Sequence, residues 1–443
     1  MESRAIAQTN TNQATGVAGV VLPQGASVGL KLYLMFMVSW FLHIPERISV
    51  LGSLRIDLLL VLLLAVLAAS QPRSDPTLGN TTGKWLKLLI AYAILSIPLV
   101  EWPGSVVKTG LPNFIKAAVF YYFTVAFVKS ESDLRRLVVV FVGCQTFRFL
   151  EPLYLHLTDG YWGSIASMAG WEYLERLSGA PSDVVNPNGL AWIVCTALPF
   201  LYFSMGLSWR HRLAGLILIP AALYVLFLTG SRSGVVGLGV IVIGIVLKAK
   251  RRVALLATII AVAVLALPML SSDLQDRYLS IVGMGEKNAG TADERMEGME
   301  AQIDVALRRP LFGYGLGTSA EANGNFTASG PYVGAQMPAH NLYVEIAQEL
   351  GLIGLAIFLV FMKSIYSGFA AGRRKMDIGR SSPFLSRLID ALQVWLAMNF
   401  VFSFASFGLS SFDWYLFGGI AAILERIVRN GKTAVQPSKP SSA

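Results

Sequence analysis

The chain is 443 residues long, and 54% of it is hydrophobic while only 14% is charged. At a mean hydropathy of +0.57, too little polar surface remains to cover soluble cores of this size. A soluble enzyme, a disordered protein and a disulfide scaffold are therefore excluded. The net charge of +9 fits a polytopic membrane protein whose basic residues gather in cytoplasmic loops, and no nucleic-acid partner is needed to explain it.

Residues 1–29 form a polar, Thr/Asn/Gln-rich stretch without a basic run leading into an apolar core. This predicts a disordered cytoplasmic tail rather than a cleavable signal peptide. The block 30–270 then holds nine apolar runs, at 30–45, 54–70, 85–100, 111–128, 134–156, 188–207, 213–230, 234–247 and 253–270. A long outer segment, 271–339, follows. The block 340–428 holds three more runs, 340–362, 389–408 and 412–428, before a short cytoplasmic tail, 429–443. Continuous apolarity without strand-like alternation predicts helices, because lipid offers no water to satisfy open strand edges. The expected fold class is thus an all-α polytopic membrane protein with about twelve transmembrane helices and one large outer loop.

With the N-terminus placed inside, 23 basic residues fall in inner segments and nine in outer ones. That asymmetry puts both termini in the cytoplasm. Cys144 and Cys195 lie in apolar runs and read as packing residues, and the four histidines are scattered.

Two outer segments are long. One, 157–187, is aromatic and mildly acidic. Within the other, 292–309 reads as an amphipathic helix with Met296, Met299, Ile303, Ala306 and Leu307 on one face. Arg308-Arg309-Pro310 ends it, and the glycine-dense PLFGYGLGT follows. An outer loop of this length between spans is expected to be a functional element. No internal repeat stands out, which disfavours transporters built from inverted repeats.

Three polar motifs open spans on the outer face: Asn186-Pro187-Asn188-Gly189, Gly230-Ser231-Arg232-Ser233-Gly234 and His340-Asn341-Leu342-Tyr343-Val344-Glu345. A helix start offers unpaired N–H groups and partial positive charge, which attract anions. Ser231 and Ser233 flank Arg232 with cap hydroxyls, and the guanidinium suits phosphate oxygens; the plain alternative is a turn with an interfacial arginine. At such a start the dipole favours neutral imidazole, so His340 is either a general base for a hydroxyl or a capping residue. Arg295, on the outer helix, either folds toward the membrane mouth or pairs with Asp293, Glu294 or Glu297.

Inside the spans, Arg148 and Glu151 lie one turn apart, either paired with each other or, for Arg148, bound to an anionic substrate. Glu345 and Glu349, spaced i, i+4, either orient His340 or face a polar cavity. The chain contains no Walker loop, dinucleotide fingerprint, zinc-ligand spacing or Asp-x-Asp pair, so neither a cofactor nor a metal is expected.

The stretch 180–360 resembles the O-antigen ligase and Wzy-type polymerase family of bacterial inner-membrane glycosyltransferases. The resemblance rests on NPNGLAW, LTGSRSGVVGLGV, ERMEGMEAQ, PLFGYGLGT and HNLYVEIAQELGLIG, in that order around a large outer loop. It implies a multi-helical fold like the GT-C class of lipid-linked-sugar transferases, and a glycan donor on undecaprenyl diphosphate presented at the periplasmic face. It also implies His340 as the base that activates the acceptor, with Arg232 and Arg295 binding the departing diphosphate. Where the family often has Asp-Pro-Asn, this chain has Asn186-Pro187-Asn188, so a carboxylate role there is in doubt.

The function so implied is O-antigen ligation to lipid A–core, metal-independent and inverting, in the inner membrane with a periplasmic site. The catalytic set is His340, Arg295 and Arg232, and the substrate-binding set is Arg148, Asn188, Ser231, Asn341 and Glu345. A polymerase extending the glycan on its own carrier is the alternative within the class. A transporter or flippase of lipid-linked or anionic solutes is the alternative outside it.

Overall fold

The structure, a computed structural model, describes residues 26–71, 81–167, 173–254, 256–257, 272–279, 290–327, 333–377, 382–406 and 408–433. The first part comprises α1 (Val28–Phe41), α2 (Ile44–Arg47), α3 (Ser49–Ser53), α4 (Ile56–Ala69) and α5 (Thr81–Leu95). It continues through α6 (Pro103–Ser105), α7 (Leu111–Phe127) and α8 (Glu131–Asp159). A hairpin of β1 (Gly163–Ser167) and β2 (Tyr173–Leu177) precedes α9 (Pro187–Ser204), α10 (Trp209–Leu228) and α11 (Arg232–Lys248). Between residues 271 and 339 stand α12 (Ser272–Leu279), α13 (Gly290–Arg308) and α14 (Ser319–Phe326). The chain closes with α15 (Leu342–Asp377), α16 (Pro383–Phe402) and α17 (Asp413–Thr433).

Every apolar run predicted from the sequence falls on one of these helices except 253–270, which lies almost wholly outside the described residues. Among the described residues four helices are long and apolar enough to cross a membrane: Glu131–Asp159, Trp209–Leu228, Leu342–Arg374 and Pro383–Ala405. Shorter apolar helices cover Val28–Phe41, Ile56–Ala69 and Asp413–Leu424. The architecture is helical, with one local exception. The hairpin pairs Gly163 with Leu177 and Ser167 with Tyr173 in antiparallel register, and it occupies the aromatic outer segment for which only a loop was expected.

Helix ends follow the local chemistry. The Ser130 hydroxyl accepts from Asp133 N at 3.1 Å while Asp133 Oδ2 accepts from Ser130 N at 3.2 Å, a reciprocal cap that starts α8. Gly160, at φ +67°, ends it. The buried core is aromatic: Trp395 stacks on Phe417 at 3.5 Å between ring centroids, and Phe41 meets Phe412 edge-on at 4.6 Å. Cys144 and Cys195 are free and buried, as packing residues should be.

Helix α15 is broken. Gly351 adopts φ 67°, ψ −176°, a conformation that only glycine takes up readily. The break releases carbonyls that the glycine-dense turn then satisfies: Tyr314 N donates to Gln348 O at 2.7 Å, and Gly315 N to Glu349 O at 3.0 Å. Leu352 N donates to Pro310 O at 2.7 Å, and the Tyr92 hydroxyl bonds both Leu311 O and Leu350 O, at 2.7 and 3.0 Å. A Cβ on Gly313 would lie 2.5 Å from Gln348 O, so the density of glycine in PLFGYGLGT reflects backbone seated against backbone. Tyr314, Trp102 and Phe326 form a triangle of rings, with centroids 5.7 Å apart for Trp102–Tyr314, 5.1 Å for Tyr314–Phe326 and 5.9 Å for Trp102–Phe326, and this cluster fixes the turn.

Helix α13 packs against α15 through a face that only partly overlaps the predicted one, sharing Ala306 with it. Gly298, Ala301, Gln302, Val305 and Ala306 are buried, whereas Ile303 and Leu307 are exposed. Small residues allow close approach, and Gln348 Nε2 donates to the Gln302 carbonyl at 2.9 Å. The contact selects for backbone proximity, which bulky side chains would prevent.

Candidate functional site

The three polar motifs open α9, α11 and α15, and these helix starts lie together. A Cβ on Gly234 would sit 2.8 Å from Ala191 Cβ, so α11 begins directly against α9. A cavity of about 180 Å³ joins Gly189 and Trp192 of α9 to Leu342 of α15. Met299 of α13 accepts from Asn341 Nδ2 at 3.7 Å. Met299 is one helical turn beyond Arg295, so the arginine-bearing part of α13 reaches the same end. The Arg295 side chain itself lies outside the described residues.

At the α11 start the Ser231 hydroxyl caps the helix, accepting from Gly234 N at 3.2 Å, and lies 3.1 Å from Ser233 Oγ. Arg232 is half-buried in the first position of the helix. Two further arginines hold the turn before it. Arg176, on β2, donates from Nε to Thr229 O at 2.8 Å and from Nη2 to Asn188 Oδ1 at 2.9 Å. Arg277, on α12, donates from Nε to Gly230 O at 2.6 Å. Both are buried, and guanidinium groups from β2 and α12 thereby meet at the turn that precedes Arg232. Burial lifts the Tyr278 phenol above its usual range, while the neighbouring Arg176 and Arg277 pull it down.

Sequence reasoning missed Arg176 and Arg277. Both were counted among the outer arginines that run against the positive-inside trend, the same signal that singled out Arg232. What the sequence does not carry is the hairpin that brings Arg176 across to Thr229.

At the α15 start, Asn341 Oδ1 accepts from Tyr343 N at 3.0 Å and Val344 N at 3.3 Å, a side-chain cap. His340 is exposed just before it. Glu345 and Glu349 are buried and hold loops: Glu345 Oε2 accepts from Gly408 N at 2.6 Å and Leu409 N at 3.3 Å, and Glu349 Oε1 from Ser319 N at 3.4 Å. Gly408 is itself part of the cavity wall, so Glu345 shapes that wall from behind.

Asp413, also unremarked in the sequence, lines the same cavity with Asn399, Ser411 and Trp414. Its Oδ2 accepts from Ser411 Oγ at 2.5 Å, while its Oδ1 is buried with no hydrogen-bond partner among the described residues. A buried carboxyl oxygen without a partner, on a residue that lines a cavity, is an available acceptor for a ligand hydroxyl.

The internal Arg148–Glu151 pair is not formed. Arg148 makes a bidentate fork to Asp183, Nε to Oδ2 at 2.6 Å and Nη2 to Oδ1 at 2.9 Å, with Nη1 reaching Gln145 Oε1 at 3.3 Å. Glu151 instead receives both Nη groups of Arg47, at 2.6 and 2.5 Å. Fork-to-carboxylate geometry is available only to partners from other segments, and it outcompetes contact along one helix. Arg148 thereby anchors the loop that leads into Asn186. Among the described residues, no three His, Cys, Asp or Glu side chains come together as a metal-ligand set.

Residues 214–359 match the family model described as O-antigen ligase. No curated protein matches the chain. The matched segment runs from α10 through the Arg232 turn, α12 to α14 and the glycine-dense turn into α15, past its break at Gly351.

Proposed function

We propose, from the match of residues 214–359 to the family model described as O-antigen ligase, that this chain is an O-antigen ligase. It transfers a glycan from undecaprenyl diphosphate to a hydroxyl of lipid A–core at the periplasmic face of the inner membrane. The observation that carries the reading is the convergence of the α9, α11 and α15 starts with the Arg295-bearing helix at one end of the bundle.

In this reading His340, exposed at the α15 start, takes the proton of the acceptor hydroxyl as its oxygen attacks C1 of the donor sugar. The bond from C1 to the diphosphate oxygen breaks with inversion, and the diphosphate leaves with its electron pair. Arg232 and Arg295 stabilise the charge that develops there. Arg176 and Arg277 act as positioning residues, since they hold the carbonyls of the turn that presents Arg232. Ser231 and Asn341 keep the two helix starts in place, and Asn188 receives Arg176. The activated donor supplies the driving force, so no ATP enters.

The test is reconstitution of the full chain with an undecaprenyl-diphosphate-linked glycan and lipid A–core. Transfer to lipid A–core that is lost in both His340→Ala and Arg232→Ala supports the reading; transfer that survives in either variant overturns the role of that residue. Lengthening of the carrier-linked glycan instead would make the protein a polymerase with the same chemistry. Movement of the carrier-linked glycan across the membrane without transfer would make it a transporter.

A further inference from the structure

A second cavity, of about 570 Å³, lies between the α8 start, the α9 end, the α10 start and the α16 start. Its place follows from helix direction. Helix α9 runs from Asn188 to Ser204 and α10 begins at Trp209, so this cavity sits at the bundle end opposite Asn188, Arg232 and Asn341. Helices α8, α10 and α16 are three of those long and apolar enough to cross a membrane. A cavity between their ends therefore opens at the depth where headgroups give way to acyl chains.

The lining divides by chemistry. Val138, Val142, Phe200, Phe203 and Leu388 form an apolar interior. Arg135 and Arg387, both exposed, form a cationic rim, and the exposed His211 stands beside them. Arg387 lies across the backbone at Gly206, where a Cβ would be 2.8 Å from its guanidinium carbon. Arg135 stacks on the Phe384 ring at 4.7 Å and stands 3.5 Å from Glu131, whose carboxylate also accepts from Ser382. His211 Nδ1 is 2.7 Å from Ser208 Oγ. Against the two rim arginines the only carboxylate shown in contact, among the described residues, is Glu131 at Arg135, so the rim keeps an excess of positive charge.

We propose that this cavity is a binding site for an anionic phospholipid of the inner leaflet. One acyl chain lies between Phe200, Phe203, Val138, Val142 and Leu388, and the headgroup phosphate sits at Arg135 and Arg387. Lipid is the solvent at this depth, so an apolar cavity open to it is filled by chain. The rim discriminates among headgroups by charge. The site is separate from the proposed catalytic end and does not depend on which reaction occurs there.

The experiment uses the purified full-length protein in a neutral detergent, titrated with phosphatidylglycerol, with phosphatidylcholine of the same chains, with inorganic phosphate and with undecaprenyl phosphate. Retained lipid is read by native mass spectrometry and stabilisation by thermal unfolding. The expected result is an about tenfold or greater preference for phosphatidylglycerol over phosphatidylcholine, as two surface guanidiniums confer on an anionic headgroup. That preference disappears in the Arg135→Gln/Arg387→Gln double variant. In Ala214→Trp, which fills the cavity from an exposed position, retention of both phospholipids falls. Equal retention of the two phospholipids by the parent protein overturns the headgroup assignment. Stabilisation by inorganic phosphate alone overturns the acyl-chain assignment, and a preference for undecaprenyl phosphate overturns the choice of a diacyl lipid.

Discussion

The Arg176 guanidinium ties the first polar motif to the residue that leads into the second: it donates to Asn188 Oδ1 at 2.9 Å and, through Nε, to the Thr229 carbonyl at 2.8 Å. The residue comes from a hairpin strand, yet what it fixes is the relation between the starts of α9 and α11. A point charge on a flexible stem cannot make both contacts in fixed directions, whereas a planar fork can.

Arg176→Ala and Arg176→Lys should therefore both lower glycan transfer. The alanine variant removes a partner of the buried Thr229 carbonyl, at about 1–3 kcal/mol, and leaves the half-buried Asn188 amide oxygen without its arginine. Its thermal unfolding midpoint should drop, while the lysine variant loses transfer with a smaller drop. Full transfer by the lysine variant would show that charge alone suffices at this position.

Gly351→Ala should be among the most damaging single changes in the chain. The backbone there is at φ 67°, and an added Cβ would lie 2.3 Å from Leu311 O. A residue with a side chain pays about 1–3 kcal/mol for the conformation alone, before the clash is counted. Relief of that clash detaches the glycine-dense turn from Gln348 and Glu349. The expected outcome is a lower unfolding midpoint together with new protease cleavage between 309 and 318. Wild-type stability in this variant would mean that the break in α15 is not needed to seat the turn.

The hydropathy pattern made the helices legible, because each apolar run needs its own backbone satisfied in lipid, and only 253–270 falls outside what the structure describes. The helix starts at Asn186, Ser231 and Asn341 were legible as well, since cap residues announce themselves locally. The partners of buried charges were not. Arg148 and Glu151 look like a pair at their spacing, yet Asp183 and Arg47 claim them from distant segments. The buried face of α13 was misread for a related reason. Apolar periodicity locates a greasy stripe, while close packing on α15 selects Gly298, Ala301 and Val305 instead. Asp413 carried no sequence signal beyond its place at the start of a span.

The Arg148–Asp183 pair gives a clean double-mutant test. Both side chains are buried, at 8% and 1% exposure, and His43 Nδ1 stands 3.4 Å from the same carboxylate. Removing one partner strands the other charge, at about 3–5 kcal/mol. Arg148→Leu and Asp183→Leu should each cause large losses of thermal stability, and the double variant should recover part of them. Additive losses would indicate that the two residues act separately.

Asp413→Asn separates stability from function at the cavity. The substitution keeps the volume and leaves a side-chain oxygen for the Ser411 hydroxyl, but it removes a buried negative charge whose Oδ1 has no hydrogen-bond partner among the described residues. Burial of a carboxylate is costly even with the Arg148 charge acting on it, so the folded protein should be as stable as the parent or more so. If a sugar hydroxyl of the donor bonds Oδ1, the variant loses a charge-assisted hydrogen bond of about 1.5–3 kcal/mol, roughly a ten- to hundredfold fall in transfer. A rise in KM for the donor at unchanged kcat would place that bond in the ground state; a fall in kcat would place it in the transition state. Unchanged transfer with raised stability would reduce Asp413 to a structural residue and move the sugar out of this cavity.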